Sequence, residues 1–513
     1  MEMESDNNSR IAKNTIILYL RMIFILCVGL FTSRIILNTL GVEDYGIYNV
    51  VGGFVTIFAF LNGSMSTATQ RFITFELARG ELNRQRATFS TAIIIHLSLA
   101  AIIFILAETI GLWFVYNELV IPENRFYAAV WVYQFSIASC CLSVISLPYN
   151  AMIIAHERMS AFAYISIFDT ILKLLIVYSL LIVPWDKLIV YSALLFTVQL
   201  LDRIIYGIYC RRHFAEAQFN WTFNKSIFKE MGNIAGWSIF GNLAGVCYTQ
   251  GLNILLNMFF GPAVNAARGV AVTVQGVVLG FVNNFQMALN PQITKAYAVN
   301  NFHRMYALIY ASSKISFFLL FLIALPIIVE AHTILTIWLK IVPEHTVWFL
   351  RLTLCIMLIE TLANPLMISS QASGRVRVYQ SVVGGLLLLI LPIAYIVLKC
   401  GANPESVFVV HLVIAGVAQC ARLFIVGRII NMSLRAYFRN VVWRIGLVCL
   451  MAVTFSFYLT NLFPNTTMCS MLVMTVIFIV NLGIIMTCGL TKNERGILVD
   501  KIMNLIPKCS RHV

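Results

Sequence analysis

Residues 87–116 read ATFSTAIIIHLSLAAIIFILAETIGLWFVY, with Glu108 the only formally charged side chain and no proline. As a helix rising 1.5 Å per residue, such a run reaches about 45 Å, and a bilayer's hydrocarbon is roughly 30 Å thick. The stretch therefore predicts a membrane-crossing helix. Comparable runs flank it on both sides: 14–40, 46–67, 125–155, 161–183, 188–209, 232–260, 266–290, 307–338, 345–371, 378–398, 406–427, 441–462 and 468–490. The reading is an all-α membrane protein with about fourteen spans, each long enough at roughly 20 residues or more.

Composition agrees with the spans. The 513 residues are 60% hydrophobic and only 11% charged, and the mean hydropathy is +0.85, so the solvent of this chain is lipid. A net charge of +14 in a soluble protein would point to nucleic acid or another acidic partner, but here the basic residues follow the topology. An even number of spans puts both termini on one side. That side holds Arg71, Arg79, Arg84, Arg86, Arg211, Arg212, Arg435, Arg439 and most other loop cations, while the opposite side has only Arg125, Lys187, Arg268, Lys340 and Lys399. The positive-inside rule then predicts cytoplasmic termini.

The start of the chain is polar and leads into an apolar run too long for a signal-peptide core, so it is read as uncleaved. Cysteines lie mostly inside spans with no C-x-x-C pair or metal-like grouping with histidine, and no metal or cofactor is expected. Loops are short. The longest, residues 210–231, mixes Phe214, Phe219, Trp221, Phe223, Ile227 and Phe228 with basic residues, which predicts an amphipathic cytoplasmic linker at headgroup level. The tail with Ile497, Leu498, Ile502 and Leu505 reads similarly.

An internal repeat divides the chain. Placing Gly41 on Gly261 lays Val50 on Val270, Ala68 on Ala288, Ala78 on Ala298 and Arg84 on Arg304 without a gap. The expected organisation is an N-lobe over 1–209, the linker 210–231, a C-lobe over 232–429, two further helices over 430–490 and a tail over 491–513. Repeats of this kind suit alternating access, with sites where the repeats meet.

The run Ser33-Arg34-Ile35-Ile36-Leu37-Asn38-Thr39-Leu40-Gly41-Val42-Glu43-Asp44-Tyr45-Gly46-Ile47-Tyr48-Asn49-Val50-Val51 resembles the opening signature of polysaccharide-biosynthesis flippases. These belong to the multidrug/oligosaccharidyl-lipid/polysaccharide exporter superfamily. Phe259-Phe260-Gly261-Pro262 and Ala288-Leu289-Asn290-Pro291-Gln292-Ile293-Thr294-Lys295-Ala296-Tyr297 resemble the second-lobe counterpart. The resemblance implies two pseudo-symmetric six-helix lobes in a V, two extra C-terminal helices, and a bacterial cytoplasmic (inner) membrane. It implies a cargo too: undecaprenyl-pyrophosphate-linked oligosaccharide of O-antigen or capsule type, with other polysaccharide-assembly proteins as possible partners.

Such a cargo calls for cationic donors, neutral hydrogen-bonding groups and a lateral route for a polyprenyl tail. Arg21 and Arg34 lie in the first span, and a guanidinium suits pyrophosphate because it donates two parallel hydrogen bonds and stays charged. They stand about 140° apart on a straight helix, so both face one cavity only if the helix bends, for instance near Gly29. Snorkelling to the nearer interface fits them equally well. Asp169 and Lys173 sit mid-span with i, i+4 spacing. They form either a self-neutralising pair or a cavity lining, with Lys173 available to phosphate and Asp169 to a coupling cation.

Glu360, Glu108 and His96 are deep and isolated in sequence, and Glu360 is a second ion-coupling candidate. Asp202, Arg203, Lys314, Arg351 and Arg422 are nearer span ends, where snorkelling is expected. Gln250, Asn253 and Asn257 form one polar stripe and Asn283, Gln286 and Asn290 another, each suited either to sugar hydroxyls or to gluing helices together.

Three functions fit at this stage: a lipid-linked oligosaccharide flippase, a drug/cation antiporter of the same fold, and a membrane glycan polymerase. The antiporter would favour a carboxylate in the first span, and the polymerase a long external loop; the sequence has neither. No catalytic motif and no G-x-x-x-x-G-K-[ST] loop occurs, so ATP is not the expected driver.

Overall fold

The computed structural model describes residues 14–29, 31–32, 35–36, 39–40, 44, 47–48, 59–117, 121–220, 224–260, 262–339, 342–463, 466–491 and 494–496. Every regular element among them is helical. The principal helices are α1 (Asn14–Gly29), α2 (Ala59–Arg79), α3 (Leu82–Asn117), α4 (Glu123–Ala155), α5 (Met159–Ser179), α6 (Lys187–His213) and α7 (Lys225–Phe260). They continue as α8 (Ala267–Ala298), α9 (Phe302–Val329), α10 (Thr346–Ser373), α11 (Val376–Lys399), α12 (Ser406–Ile429), α13 (Leu434–Leu462) and α14 (Thr467–Gly489). The 12 helices from α3 to α14 are long and apolar enough to cross a bilayer. The protein is a multi-pass membrane protein.

Each of these 12 falls on an expected span. The first two spans are described only in part: α1 covers the beginning of 14–40, and α2 covers the end of 46–67 and runs on to Arg79. Helices overrun the apolar limits elsewhere as well, α7 beginning at Lys225 and α8 ending at Ala298. Hydropathy marks the edge of the hydrocarbon, whereas backbone hydrogen bonding carries the helix on into the headgroup region.

The chain divides into two compact units, Asn14–Asn242 and the residues from Leu243 onward. In the first, Ile36 and Leu40 pack with Ile176, Val177, Leu180 and Val198 of the α5–α6 region, and Ala107 and Val115 pack with Ala129, Val132 and Ile137 across α3 and α4. In the second, one cluster joins Leu320, Phe321 and Ala324 of α9 to Leu350, Leu354 and Met357 of α10 and Ala415 of α12. Large apolar side chains also point outward, Phe457 at 71% and Leu450 at 68% exposure on α13. In a lipid solvent both faces of a helix are apolar, and tight packing rather than hydrophobicity selects the inner one.

Irregular backbone within the spans is satisfied by side chains, as a medium without water demands. A π-turn at Ala107–Gly111 loosens α3, and the buried Tyr133 hydroxyl donates to the Ala107 carbonyl at 2.7 Å. α10 breaks at Thr361–Leu362, where the Gln286 amide donates to the Thr361 carbonyl and to Ser316 Oγ, each at 3.1 Å.

Outside the membrane, Arg125 bonds both carboxylate oxygens of Asp44 at 2.6 and 2.7 Å and reaches Asp186 at 2.6 Å. Asp186 also caps α6 through the Leu188 and Ile189 amides. The described part of the 210–231 segment is held against its own unit. Phe214 stacks on His156 with centroids 4.0 Å apart, Glu216 pairs with His156, and Arg86 donates to the Ala215 carbonyl. The Asn220 amide donates to Ser90 Oγ. Phe214 and Ile227 are buried, while Phe228 is exposed. Trp221, Phe223 and the apolar residues of the tail lie outside the described residues.

Candidate functional site

Three of the expected site residues meet in one cavity of the first unit. A space of about 450 Å³ is lined by Arg21 and Gly29 of α1, Thr32, Tyr48, Ser166, Asp169, Thr170 and Lys173 of α5, and Tyr191 of α6. Lys173 Nζ donates to Asp169 Oδ2 at 2.8 Å, the distance that i, i+4 spacing allows on one helix face. Lys173 is 46% exposed and Asp169 20%, so the lysine reaches into the open space and the carboxylate lies behind it. Tyr48 and Tyr191 close one wall edge to face, 5.0 Å between centroids.

Arg21 is held across from this pair. Its guanidinium lies 4.4 Å from the Phe162 ring centroid, a cation–π contact that fixes a charge without neutralising it. Tyr206 and Asp169 are within its electrostatic reach. Its buried Nε has no hydrogen-bond partner. Arg34 lies outside the described residues, so the bend that would bring both arginines to one cavity stays an expectation.

Asp202 is one of three residues whose expected place the structure corrects. It was expected to snorkel, but it is 8% exposed and sits against Asp169. The corresponding corrections in the second unit are Lys314, 2% exposed, and Arg422, 6% exposed. Lys314 Nζ is 2.7 Å from Glu494 Oε2, just beyond α14. Counting residues to a span end measures how far a side chain can stretch, and says nothing of the neighbour that removes the need.

Of the remaining candidates, His96 and Glu108 lie on α3 in the first unit and the others in the second unit. Glu360 ends the first half of α10 and faces His411 Nε2 at 3.5 Å, and His411 meets Tyr248 edge to face at 5.0 Å. Glu360 is thus not isolated; its partner is 51 positions away by number and carries no local signal. Asn253 accepts from Arg268 and donates to Gln250, while Arg268 also donates to the Thr249 carbonyl. Gln286, 3% exposed, ties α8 to α9 and α10 through its bonds to Ser316 and Thr361. Asn283 is exposed, Asn290 is half-buried with Oδ1 unpartnered, and the side chain of Asn257 is outside the described residues.

In chemical terms the first-unit cavity offers two cations, one carboxylate and hydroxyl-bearing walls inside a membrane, with the buried Asp202 behind Asp169. With both carboxylates ionised, Arg21, Lys173, Asp169 and Asp202 balance; with one protonated, the group is net positive and suited to an anion.

The model of the polysaccharide biosynthesis protein family matches residues 11–297, which is more than half of the chain and includes α1 through α7 and most of α8. The chain belongs to that family. The solved structures it resembles are transporters at low identity. A crystal structure of a MATE point mutant has a TM-score of 0.70 and 13% identity, over 81% of this chain and 96% of that one. An outward-facing multidrug resistance MATE family transporter of the MOP superfamily gives 0.69 and 14%, over 83% and 96%. A MOP superfamily transporter from Pyrococcus furiosus gives 0.65 and 15%, over 82% and 96%. This member of the polysaccharide biosynthesis family therefore has the MATE-type fold. No curated protein matches the sequence.

Proposed function

We propose that the protein is a flippase that moves undecaprenyl-pyrophosphate-linked oligosaccharide from the cytoplasmic to the outer leaflet of a bacterial inner membrane by alternating access. The observation that carries the reading is the cavity that holds Arg21 of the apolar helix α1 and Lys173 of the membrane-spanning α5. Cations are costly there, and a pyrophosphate is a cargo that makes use of them. Family membership supports a glycan, and the MATE-type fold supports a transporter rather than an enzyme. In this reading Arg21, with Arg34, and Lys173 bind pyrophosphate; Asp169 or Glu360 couples an ion; and the exposed Gln250 and Asn283, with Asn253, Asn257 and Asn290, meet sugar hydroxyls. Gln286 is an interhelical tie. Both termini are cytoplasmic, so reporters fused after Val513 and at Arg84 should read as cytoplasmic.

Deleting the protein in its own cell tests the function: the lipid-linked repeat unit should accumulate on the cytoplasmic leaflet and surface glycan should fall. Unchanged surface glycan would refute it. One observation favours a drug/cation antiporter instead, namely that Asp169 gives the same cavity a carboxylate, with the buried Asp202 behind it. Efflux of organic cations from cells expressing the protein, with glycan unchanged, would establish that alternative.

A further inference from the structure

A second cavity, of about 550 Å³, opens where α3 ends and α4 begins, away from the charged cavity. Four aromatic rings line it: Tyr116, Phe126, Tyr127 and Trp131. Tyr116 and Phe126 meet edge to face at 5.0 Å, and Tyr127 and Trp131 do so at 6.4 Å. Two polar side chains complete the lining, Glu123 at the start of α4 and Gln134 further along it. Gln134 is anchored, its amide donating to Glu108 Oε2 at 3.2 Å. Glu108 stands on the π-turn of α3, a distortion that often marks a functional position.

Among the described residues the lining contains a carboxylate and no cation. Arg125, the basic residue nearest in sequence, has its guanidinium committed to Asp44 and Asp186. Aromatic faces carry negative potential, so rings around a carboxylate attract a positive charge and disfavour a bare phosphate. The helix ends place the cavity at the hydrocarbon boundary, where lipid headgroups lie. We propose that this cavity binds the ammonium headgroup of a zwitterionic phospholipid of the phosphatidylethanolamine class, with the ammonium among the rings and against Glu123. An interfacial aromatic belt accounts for single exposed rings, but not for four of them around one carboxylate-bearing hollow. The proposal is independent of the transported cargo.

The test uses the full-length protein reconstituted in nanodiscs of phosphatidylethanolamine and phosphatidylglycerol, extracted into detergent, with retained lipid counted by native mass spectrometry. Wild type should retain phosphatidylethanolamine over phosphatidylglycerol. Trp131→Ala should weaken that retention about two- to fivefold, the range of an exposed cation–π contact, and Glu123→Gln by a similar factor, the range of an exposed ion pair. Both side chains are exposed, so the variants should melt at the wild-type temperature, and Tyr127→Ala, at a ring 70% exposed, gives a third reading. Equal retention of the two lipids by wild type would overturn the proposal. Undiminished phosphatidylethanolamine retention in all three variants would also do so, leaving the rings as an interfacial belt only.

Discussion

Lys173 Nζ lies 2.8 Å from Asp169 Oδ2, and Asp169 in turn lies against Asp202. One carboxylate thus stands between a cation that faces the cavity and a second, buried carboxylate. This arrangement separates two roles for Lys173, neutralising Asp169 or receiving a phosphate, because each role fails differently when a partner is removed.

Lys173→Gln removes the cation and leaves Asp169 uncompensated; the single change should lower both surface glycan and protein level. The double change Lys173→Gln with Asp169→Asn removes the orphaned charge, so protein level should recover while surface glycan stays low. Immunoblotting alongside glycan staining reads both. Recovery of glycan in the double variant would mean that Lys173 serves only to neutralise Asp169.

Lys314 makes a second charge prediction, about stability. It is 2% exposed and pairs with Glu494 at 2.7 Å, and Glu494 also accepts from the Thr491 amide at 2.8 Å. Glu494→Gln should destabilise the second unit by about 3–5 kcal/mol, since it strands a buried cation. Lys314→Met with Glu494→Gln should restore most of that. A thermal melt in detergent checks it; an unchanged melting point for Glu494→Gln would show that Lys314 does not depend on the segment after α14.

Acid should loosen the first unit from its extramembrane ties. Burial alone would raise the Asp186 carboxyl, but the Arg125 hydrogen bond and the Ile189 and Leu188 amides outweigh it and hold the group below its ordinary value of 3.8. Burial would likewise raise the Glu216 carboxyl, but the His156 hydrogen bond, its own backbone amide and the His156 and Arg86 charges outweigh it and hold the group below its ordinary value of 4.5. A carboxylate lowered in the folded state stabilises it above the unfolded pKa, and that contribution is lost as pH falls through the folded one. Melting points should therefore hold from neutrality to about pH 5 and drop below about pH 4. Asp186→Asn should melt lower at neutral pH and show a shallower acid drop; an acid drop as steep as wild type would exclude this group.

Much of the fold was legible because one strong signal specifies it. Apolar runs such as 87–116 and 307–338 locate helices whatever their neighbours are, and the twelve described spans fall on those that hydropathy marks. Asp169 with Lys173 was legible as well, since helical spacing alone brings them together. Pairings between distant helices were not: His411 beside Glu360, Asp202 beside Asp169 and Glu494 beside Lys314 depend on how helices pack. Gln286 illustrates the same limit. Its place in a polar stripe was visible, but only packing shows that its amide serves a broken helix rather than an open cavity.

The central claim is that Arg21 and Lys173 recognise the pyrophosphate of a lipid-linked oligosaccharide during its transfer between leaflets. The most direct measurement is translocation of a fluorescent undecaprenyl-pyrophosphate oligosaccharide in proteoliposomes, read by the fraction accessible to an external, membrane-impermeant quencher. Wild type should equilibrate the lipid between leaflets. Arg21→Gln and Lys173→Gln should each slow transfer by about tenfold or more, the equivalent of one lost charge-assisted contact, with Arg21→Lys in between. Transfer by both Gln variants at the wild-type rate, in correctly folded protein, would contradict the account.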